Sequence, residues 1–124
     1  MIPKFRAWLK NDKEMIDVDE IHWFNGELDI IGDYITFVRK ADEIELMQST
    51  GLKDKNGKEI FEGDILKSNK YITSVFYENG AYCVKFRRTP NTTVTMNVIS
   101  FIKKYKTRIV GNIYENPELL EAEE

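Results

Sequence analysis

LMQSTGLKDKNGKEIFEGDIL, residues 46 to 66, is the stretch in which the chain turns around. An alternating strand leads into it and ends at Gly51. Asn56-Gly57 then predicts a tight two-residue turn, because both residue types adopt positive φ at little cost. Gly63, before Asp64 and an apolar pair, indicates a sharp reversal into a new strand. The stretch therefore predicts a junction between two β regions and contains no chemical signature.

The N-terminal half alternates short β patterns with turn residues. Phe5, Ala7 and Leu9 share one face of a first strand over residues 4–9. The segments that follow are a turn at Asn11–Lys13, a strand over Glu14–Phe24, a hairpin turn at Asn25-Gly26, a strand around Leu28 and Ile30, a strand over Tyr34–Val38, and a strand through Ile44 and Leu46. Residues 1–60 are therefore predicted to form a subdomain of antiparallel hairpins.

The C-terminal half begins a second β pattern and then changes to helical spacing. Val98, Phe101, Ile102 and Tyr105 recur at helical intervals, and Asn97 is placed as a cap. The other segments are a strand over Asp64–Lys67, a hairpin of Tyr71–Tyr77 and Ala81–Arg87 about Asn79-Gly80, an exposed loop at Thr89–Asn91, a strand over Thr92–Thr95, a closing strand over Thr107–Tyr114, and a short C-terminal helix from Asn116-Pro117-Glu118. This order predicts a small SH3-like β-barrel over residues 61–124, with an acidic tail.

Three segments of the chain resemble the YopX family of phage and prophage proteins. The longest is Gln48–Ile65, and the others are Phe5–Trp8 near the start and Val110–Leu120 near the end. Together they span nearly the whole chain. The resemblance implies a β-rich protein with a small SH3-like barrel in its C-terminal half, expressed from a phage or prophage. It supplies no catalytic residues to carry over.

Length and composition are those of an ordinary globular domain. The 124 residues are 42% hydrophobic and 31% charged, and seven Phe, six Tyr and two Trp favour sheet over helix. No apolar run approaches the roughly 20 residues that span a bilayer, and basic residues interrupt the N-terminus where a signal peptide would be apolar. Because Cys83 has no cysteine partner in the chain, we expect a cytoplasmic protein. The resemblance implies a bacterial host, and no membrane partner is expected.

The net charge of −3 conceals an uneven distribution. Residues 12–45 carry eleven acidic and three basic side chains, whereas residues 63–108 carry two acidic and nine basic ones. The last sixteen residues add five net negative charges. Such asymmetry indicates either a surface for an oppositely charged partner or acidic and basic parts that face each other, within one chain or between subunits. The second interpretation is favoured.

Candidates for metal or catalytic chemistry are few. His22 and Cys83 are each the single residue of their kind, so one chain cannot assemble a Cys/His zinc site. His22 lies on a predicted strand beside aromatic residues, and Cys83 lies in an apolar strand, so we expect both to be packed rather than reactive. No catalytic constellation, cofactor fingerprint or small-molecule substrate is indicated. We therefore expect a protein without enzymatic activity, and an enzyme stays open as a third hypothesis only because acidic residues are abundant.

Nucleic-acid binding is supported by cations interleaved with aromatic residues. Lysine or arginine beside Tyr71, Phe86 or Tyr105 suits neutralisation of a phosphate backbone together with base stacking. Strand alternation explains the same pattern, since Phe86 would point inward while its charged neighbours solubilise the outer face. The candidate contact residues are Lys67, Lys70, Lys85, Arg87, Arg88, Lys103, Lys104, Lys106 and Arg108.

Protein association is the favoured function. Short hairpins leave sheet edges available for pairing, and a head-to-tail oligomer would bring the acidic half of one copy against the basic half of the next. The sequence therefore predicts a non-catalytic module that binds a protein or itself, and the resemblance implies an accessory protein whose partner is a host or phage protein. The alternative is nucleic-acid binding through the basic face of residues 67–108.

Overall fold

A computed structural model describes residues 4–32 and 37–121. The protein is mainly β, as predicted, and the chain groups into two compact units, Met1–Gln48 (unit 1) and Ser49–Glu124 (unit 2). The strands are β1 (Phe5–Leu9), β2 (Glu14–Val18), β3 (Ile21–Phe24), β4 (Glu27–Gly32), β5 (Val38–Lys40), β6 (Ile44–Lys53), β7 (Glu59–Phe61), β8 (Asp64–Lys67), β9 (Ile72–Ser74), β10 (Phe76–Glu78), β11 (Ala81–Thr89), β12 (Thr92–Asn97) and β13 (Arg108–Asn112). The helices are α1 (Val98–Lys104) and α2 (Glu118–Glu121), and a 3-10 turn covers Ala41–Glu43. In the described part of the chain, no helix has both the length and the apolar character needed to cross a membrane.

In unit 1, β1 lies between β2 and the first half of β6, and both pairings are antiparallel. Phe5 is opposite Val18 of β2 and Gln48 of β6, and Leu9 at the other end is opposite Glu14 and Ile44. The predicted first strand and the turn that follows it are therefore confirmed.

The second sheet of unit 1 has the order β3-β4-β5. Asn25 and Gly26 both have positive φ, 52° and 79°, which fits a two-residue turn between paired strands. The single long strand predicted over residues 14–24 is wrong, because the chain leaves β2 at Val18 and the Glu20 carbonyl accepts a hydrogen bond from Gly32 N–H at 3.0 Å. The predicted strand over residues 34–38 lies mostly outside the described residues.

A small aliphatic cluster fills unit 1. Its buried members are Ala7, Leu9, Ile31 and Ile44, and partly buried apolar side chains surround them. Ala7 and Leu9 occupy alternate positions of β1, as period-2 patterning requires. Their burial away from water is the main stabilising contribution that the described residues supply here.

The central stretch, residues 46–66, forms a different turn from the one predicted. Gly57 has φ of +82°, but Asn56 is not in the left-handed region, so Asn56-Gly57 is not a two-residue hairpin turn. Asp54 closes the loop instead. Its N–H donates to the Lys58 carbonyl at 2.8 Å, and its carbonyl accepts from Gly57 N–H at 2.9 Å. β6 consequently continues to Lys53, beyond its predicted end.

Unit 2 contains two further three-stranded antiparallel sheets, β10-β11-β12 and β13-β8-β9. The predicted hairpin about Asn79-Gly80 is confirmed, with φ of 51° and 82°. The strand predicted over residues 71–77 is divided at Val75, whose carbonyl accepts from Gly63 N–H at 2.8 Å. Val75 N–H in turn donates to the Asp64 carbonyl at 2.9 Å, so the break is fully hydrogen-bonded.

Helix α1 is confirmed, and it closes the core of unit 2. Val98 and Phe101 on its inner face are 1% and 0% exposed, and they join a buried cluster of Ile60, Leu66, Val75, Val84 and Phe86. Asn97 stands at the cap position with extended backbone, but its side chain makes no cap hydrogen bond. Its Oδ1 instead accepts from the Cys83 thiol at 3.6 Å.

Candidate binding surfaces

All nine cations predicted as contact residues lie in unit 2, and all nine side chains are exposed. The structure divides most of them between two places. One group lines a pocket and the other follows β11. Lys70 and Lys103 belong to neither group: Lys70 lies over the Tyr71 ring at 5.7 Å, and Lys103 lies in the last turn of α1.

The pocket in unit 2 has a volume of about 410 Å³. Ser68, Asn69 and Tyr105 line part of it. No carboxylate lines it within the described residues, and none of its cations forms an ion pair with a described carboxylate. The cations that line the pocket are Lys55, Lys67, Lys104, Lys106 and Arg108.

Two of these cations are placed by neighbouring strands. Lys67 ends β8 and Arg108 begins β13, and the two residues are directly opposite each other in the antiparallel pair. Ser68 then holds the turn after β8, because its hydroxyl accepts from Lys70 N–H at 3.1 Å and from Tyr71 N–H at 2.9 Å. The edge of the pocket is therefore fixed by backbone pairing and by one buried side chain.

Lys55 is the lining cation that the sequence did not predict, and Asp54 places it. The Asp54 carboxylate accepts from Asn56 N–H at 2.9 Å and from Lys58 N–H at 2.8 Å through one oxygen, and from Ile109 N–H at 2.9 Å through the other. Lys55 N–H also donates to the Thr107 carbonyl at 2.9 Å. The turn is thus tied to β13 by contacts between residues more than fifty positions apart in the sequence.

The pKa of Asp54 follows from these contacts. Burial of the carboxyl group acts to raise the pKa, but hydrogen bonds from the N–H groups of Ile109, Lys58 and Asn56, together with the positive charge of Lys58, hold it below its ordinary value of 3.8. Asp54 is therefore ionised at neutral pH, and its oxygens accept hydrogen bonds from the backbone.

The second basic group follows the outer face of β11. Val84 and Phe86 are buried, so the alternate residues Lys85 and Arg87 point away from the core. Their opposite residues on β12 are threonines. Arg88 lies at a register shift between β11 and β12. We refer to Lys85, Arg87 and Arg88 as the β11 surface.

The packing of the aromatic residues leaves little ring surface on which the bases of a nucleic acid could stack. Phe86 is 5% exposed, and its ring centroid lies 4.3 Å from that of Tyr71. Tyr105 packs edge-on against Tyr71 at 5.3 Å. The inward orientation expected for Phe86 from strand alternation is confirmed, and these rings belong to the core or its border. Among the described residues of unit 2, the aromatic side chain that is clearly exposed is Tyr77, which is 55% exposed.

Unit 1 exposes two large aromatic side chains that the sequence did not identify as a site. Trp23 is 58% exposed and Phe24 is 68% exposed, immediately before the Asn25-Gly26 turn of the β3–β4 hairpin. The register of the hairpin shifts between His22 and Trp23. We refer to Trp23 and Phe24 as the hairpin tip.

His22 and Cys83, the residues considered for metal or catalytic chemistry, lie in unit 1 and unit 2 respectively. The His22 ring nitrogen Nε2 lies 3.2 Å from the Gly32 carbonyl oxygen and 3.4 Å from a Glu20 carboxylate oxygen. Cys83 is a free, buried thiol. Residues 4–32 and 37–121 contain no group of three or more His, Cys, Asp or Glu residues that could hold a metal ion.

Comparison with solved structures and comparison with family sequence models each found a match. The solved structure of protein EF1440 from Enterococcus faecalis is similar to this chain with a TM-score of 0.68 and 31% sequence identity, covering 97% of this chain and 99% of that one. No curated protein matches the chain significantly. The sequence model of the family described as YopX protein matches residues 4–121. Because that match covers nearly the whole chain, the protein belongs to the YopX family.

Proposed function

We propose that this protein is a non-catalytic binding module that associates with protein, and in particular with a second copy of itself, through the hairpin tip. The exposure of Trp23 and Phe24 is the observation that carries the proposal. Trp23 and Phe24 are consecutive residues of β3 and point to opposite faces of the hairpin, and each leaves an apolar area whose burial would stabilise a complex. Aromatic residues of this kind frequently anchor protein interfaces.

Charge favours a second copy as the partner. Glu27 and Asp29 follow the hairpin tip and are exposed, in a region where residues 12–45 carry eleven acidic and three basic side chains. The exposed cations of unit 2 offer the complementary charge, and cations also attract aromatic faces. Unit 1 of one copy would contact unit 2 of the next in a head-to-tail arrangement, which forms a ring or an open chain.

Sedimentation velocity of the full chain tests this proposal over a range of concentration and salt. We expect a mass above that of one chain at low salt, decreasing as salt screens the attraction. The double variant Trp23→Ser/Phe24→Ser should be monomeric, whereas the control Ile99→Ser, at an exposed apolar residue of α1, should behave as the wild type. A wild-type monomer at every concentration and salt level would overturn self-association.

Nucleic-acid binding through the basic face of residues 67–108 is the second candidate. The β11 surface favours it, because its three exposed cations lie opposite or beside threonines on β12 and form no ion pair with a described carboxylate. Reversing Lys85, Arg87 and Arg88 together to glutamate should abolish retention of single- and double-stranded DNA probes at low salt. Absence of retention by the wild-type protein would remove this candidate.

We also infer that unit 2 is a small SH3-like barrel. Three features support the inference: antiparallel pairing of β8, which follows the central turn, with the last strand β13, the meander β10-β11-β12, and a short helix shortly before the closing strand. A role as a phage or prophage accessory protein in the bacterial cytoplasm is proposed from the family resemblance and the single cysteine.

A further inference from the structure

We propose that the pocket lined by Lys55, Lys67, Lys104, Lys106 and Arg108 binds the phosphate groups of a nucleotide, either free or within a single strand. A free nucleotide would be a ligand beyond the functions proposed above, whereas a nucleotide within a strand rests on the nucleic-acid candidate. The pocket is separate from the β11 surface, since none of the β11 cations lines it. The two sites can therefore be tested separately.

The arrangement of like charges points to an anionic ligand. Lys67 and Arg108 are opposite each other on adjacent strands, where like charges destabilise the pairing. Lys55 is brought to the same pocket by the Asp54 carboxylate and the Thr107 carbonyl. No described carboxylate lines the pocket or forms an ion pair with its cations. A bound polyanion would relieve the repulsion, and the fixed backbone means that only the lysine and arginine side chains would have to become ordered.

The helix dipole explains only a minor part of the cluster. Lys103 and Lys104 lie in the last turn of α1, where positive side chains complement the negative helix end. Lys55, Lys67 and Arg108 lie on a turn and two strands, so this explanation does not apply to them. Three separate segments of the chain, at Lys55, at Lys67 and over residues 104–108, contribute cations to one pocket, which is the property of a binding site rather than of a solvated helix end.

Size and chemistry favour a nucleotide phosphate over a simple carboxylate. A volume of about 410 Å³ falls in the range of pockets that enclose small ligands. A single carboxylate would leave most of the five cations without compensation, whereas a diphosphate or triphosphate carries several negative charges. Asn69 and Ser68 add polar groups to the lining, and Tyr105 adds an apolar edge. Lysine and arginine are the side chains that proteins most commonly use for phosphate.

Three probes and two matched variants test the assignment. The probes are inorganic triphosphate, ATP without added metal, and a twelve-nucleotide oligo-dT without a terminal phosphate, each measured by calorimetry on the full chain at low salt. Lys104→Glu/Arg108→Glu reverses two pocket cations, and Lys85→Glu/Arg87→Glu makes the same charge change on the β11 surface. Thermal unfolding of both variants checks that the exposed substitutions leave the fold intact.

We expect triphosphate and ATP to bind the wild type and to lose about tenfold or more in affinity in the pocket variant. The β11 variant should change these affinities by less than about threefold, because only long-range attraction is altered. No binding of triphosphate or ATP by the wild type, or equal losses in both variants, would overturn the pocket assignment. Oligo-dT lost only in the β11 variant would also overturn it for a strand while leaving the nucleic-acid candidate intact. Triphosphate binding without oligo-dT binding would support the pocket as a site for a free phosphate ligand and would exclude a single strand as its occupant.

Discussion

The two units use their aromatic side chains in opposite ways. Unit 2 buries Phe86 and Phe101 within its apolar cluster, at 5% and 0% exposure. The buried members of the unit 1 cluster are aliphatic, with the partly buried Phe37 packed against them, whereas Trp23 and Phe24 are exposed. The same residue class therefore stabilises the fold in unit 2 and is available for contact in unit 1. Substitutions of buried aromatic residues should lower stability, and substitutions of exposed ones should lower binding. Measuring both effects tests this difference.

The largest effect is expected from the centre of the unit 2 core. Phe101→Ala should lower the free energy of unfolding by about 3–5 kcal/mol, because it removes a fully buried ring and leaves a cavity among Phe86, Val98 and Tyr105. Ile99→Ala on the same helix is the control, since Ile99 is 44% exposed and should cost clearly less. Denaturant unfolding followed by circular dichroism measures both. Equal losses would show that α1 is not anchored through Phe101.

Asp54 should give the next largest effect, through polar contacts rather than apolar ones. Asp54→Asn keeps the shape but removes the charge and replaces one acceptor oxygen by an NH2 donor. Of the three backbone N–H groups that the carboxylate satisfies, at least one would lose its acceptor. We expect a loss of about 2–3 kcal/mol in the free energy of unfolding. Asp42→Asn, at an exposed acidic residue of unit 1, is the matched control and should change little.

The pH dependence of unfolding sharpens the assignment to Asp54. Its folded pKa lies below the ordinary value of 3.8, so its stabilising contribution is complete above that value and is lost as pH falls through the folded pKa. Between neutral pH and pH about 5 the contribution should be constant. Below pH about 4 the wild type should lose stability more steeply than Asp54→Asn. Parallel pH profiles for the two proteins would contradict this role for the carboxylate.

Local sequence signals predicted the turns correctly where neighbouring residues alone determine the backbone conformation. Asn25-Gly26 and Asn79-Gly80 form the expected turns, since both residues of each pair adopt positive φ. Asn56-Gly57 has the same two letters but a different turn, because the Asp54 carboxylate captures the neighbouring N–H groups and binds Ile109 as well. A contact with a residue fifty-five positions away has no local signal, so the sequence could not reveal it.

The candidate sites were predicted only in part for the same reason. Charge counting identified Lys67, Lys104, Lys106 and Arg108, but not Lys55, whose place in the pocket depends on its hydrogen bond to Thr107. The hairpin tip was missed because aromatic residues next to an Asn-Gly turn also fit a half-buried strand. The register shift at His22 and Trp23 changes which side chains face the core, and composition does not encode it.

Alanine substitutions at two glycines of unit 1 should differ in their cost in stability by an intermediate amount. Gly32 has φ of +102°, and a Cβ atom there would clash with the Phe37 carbonyl, whereas Gly26, at φ of +79°, has open space around it. Both substitutions to alanine incur backbone strain, but only Gly32→Ala adds a steric conflict with backbone. We expect it to cost about 1–3 kcal/mol more than Gly26→Ala. Thermal unfolding of the two variants measures the difference, and equal costs would mean that the backbone of Phe37 moves freely.

The hairpin tip is the place where substitution should change stability least and self-association most. Trp23→Ser/Phe24→Ser changes two side chains that are more exposed than buried, so the free energy of unfolding of the dilute monomer should stay within about 0.5 kcal/mol of the wild type per substitution. A loss comparable to that of Phe101→Ala would show that the hairpin tip is part of a core, and its exposure could then no longer support a contact surface. An unchanged monomer that no longer self-associates would separate the two uses of aromatic residues, because the tip would contribute to binding and not to folding.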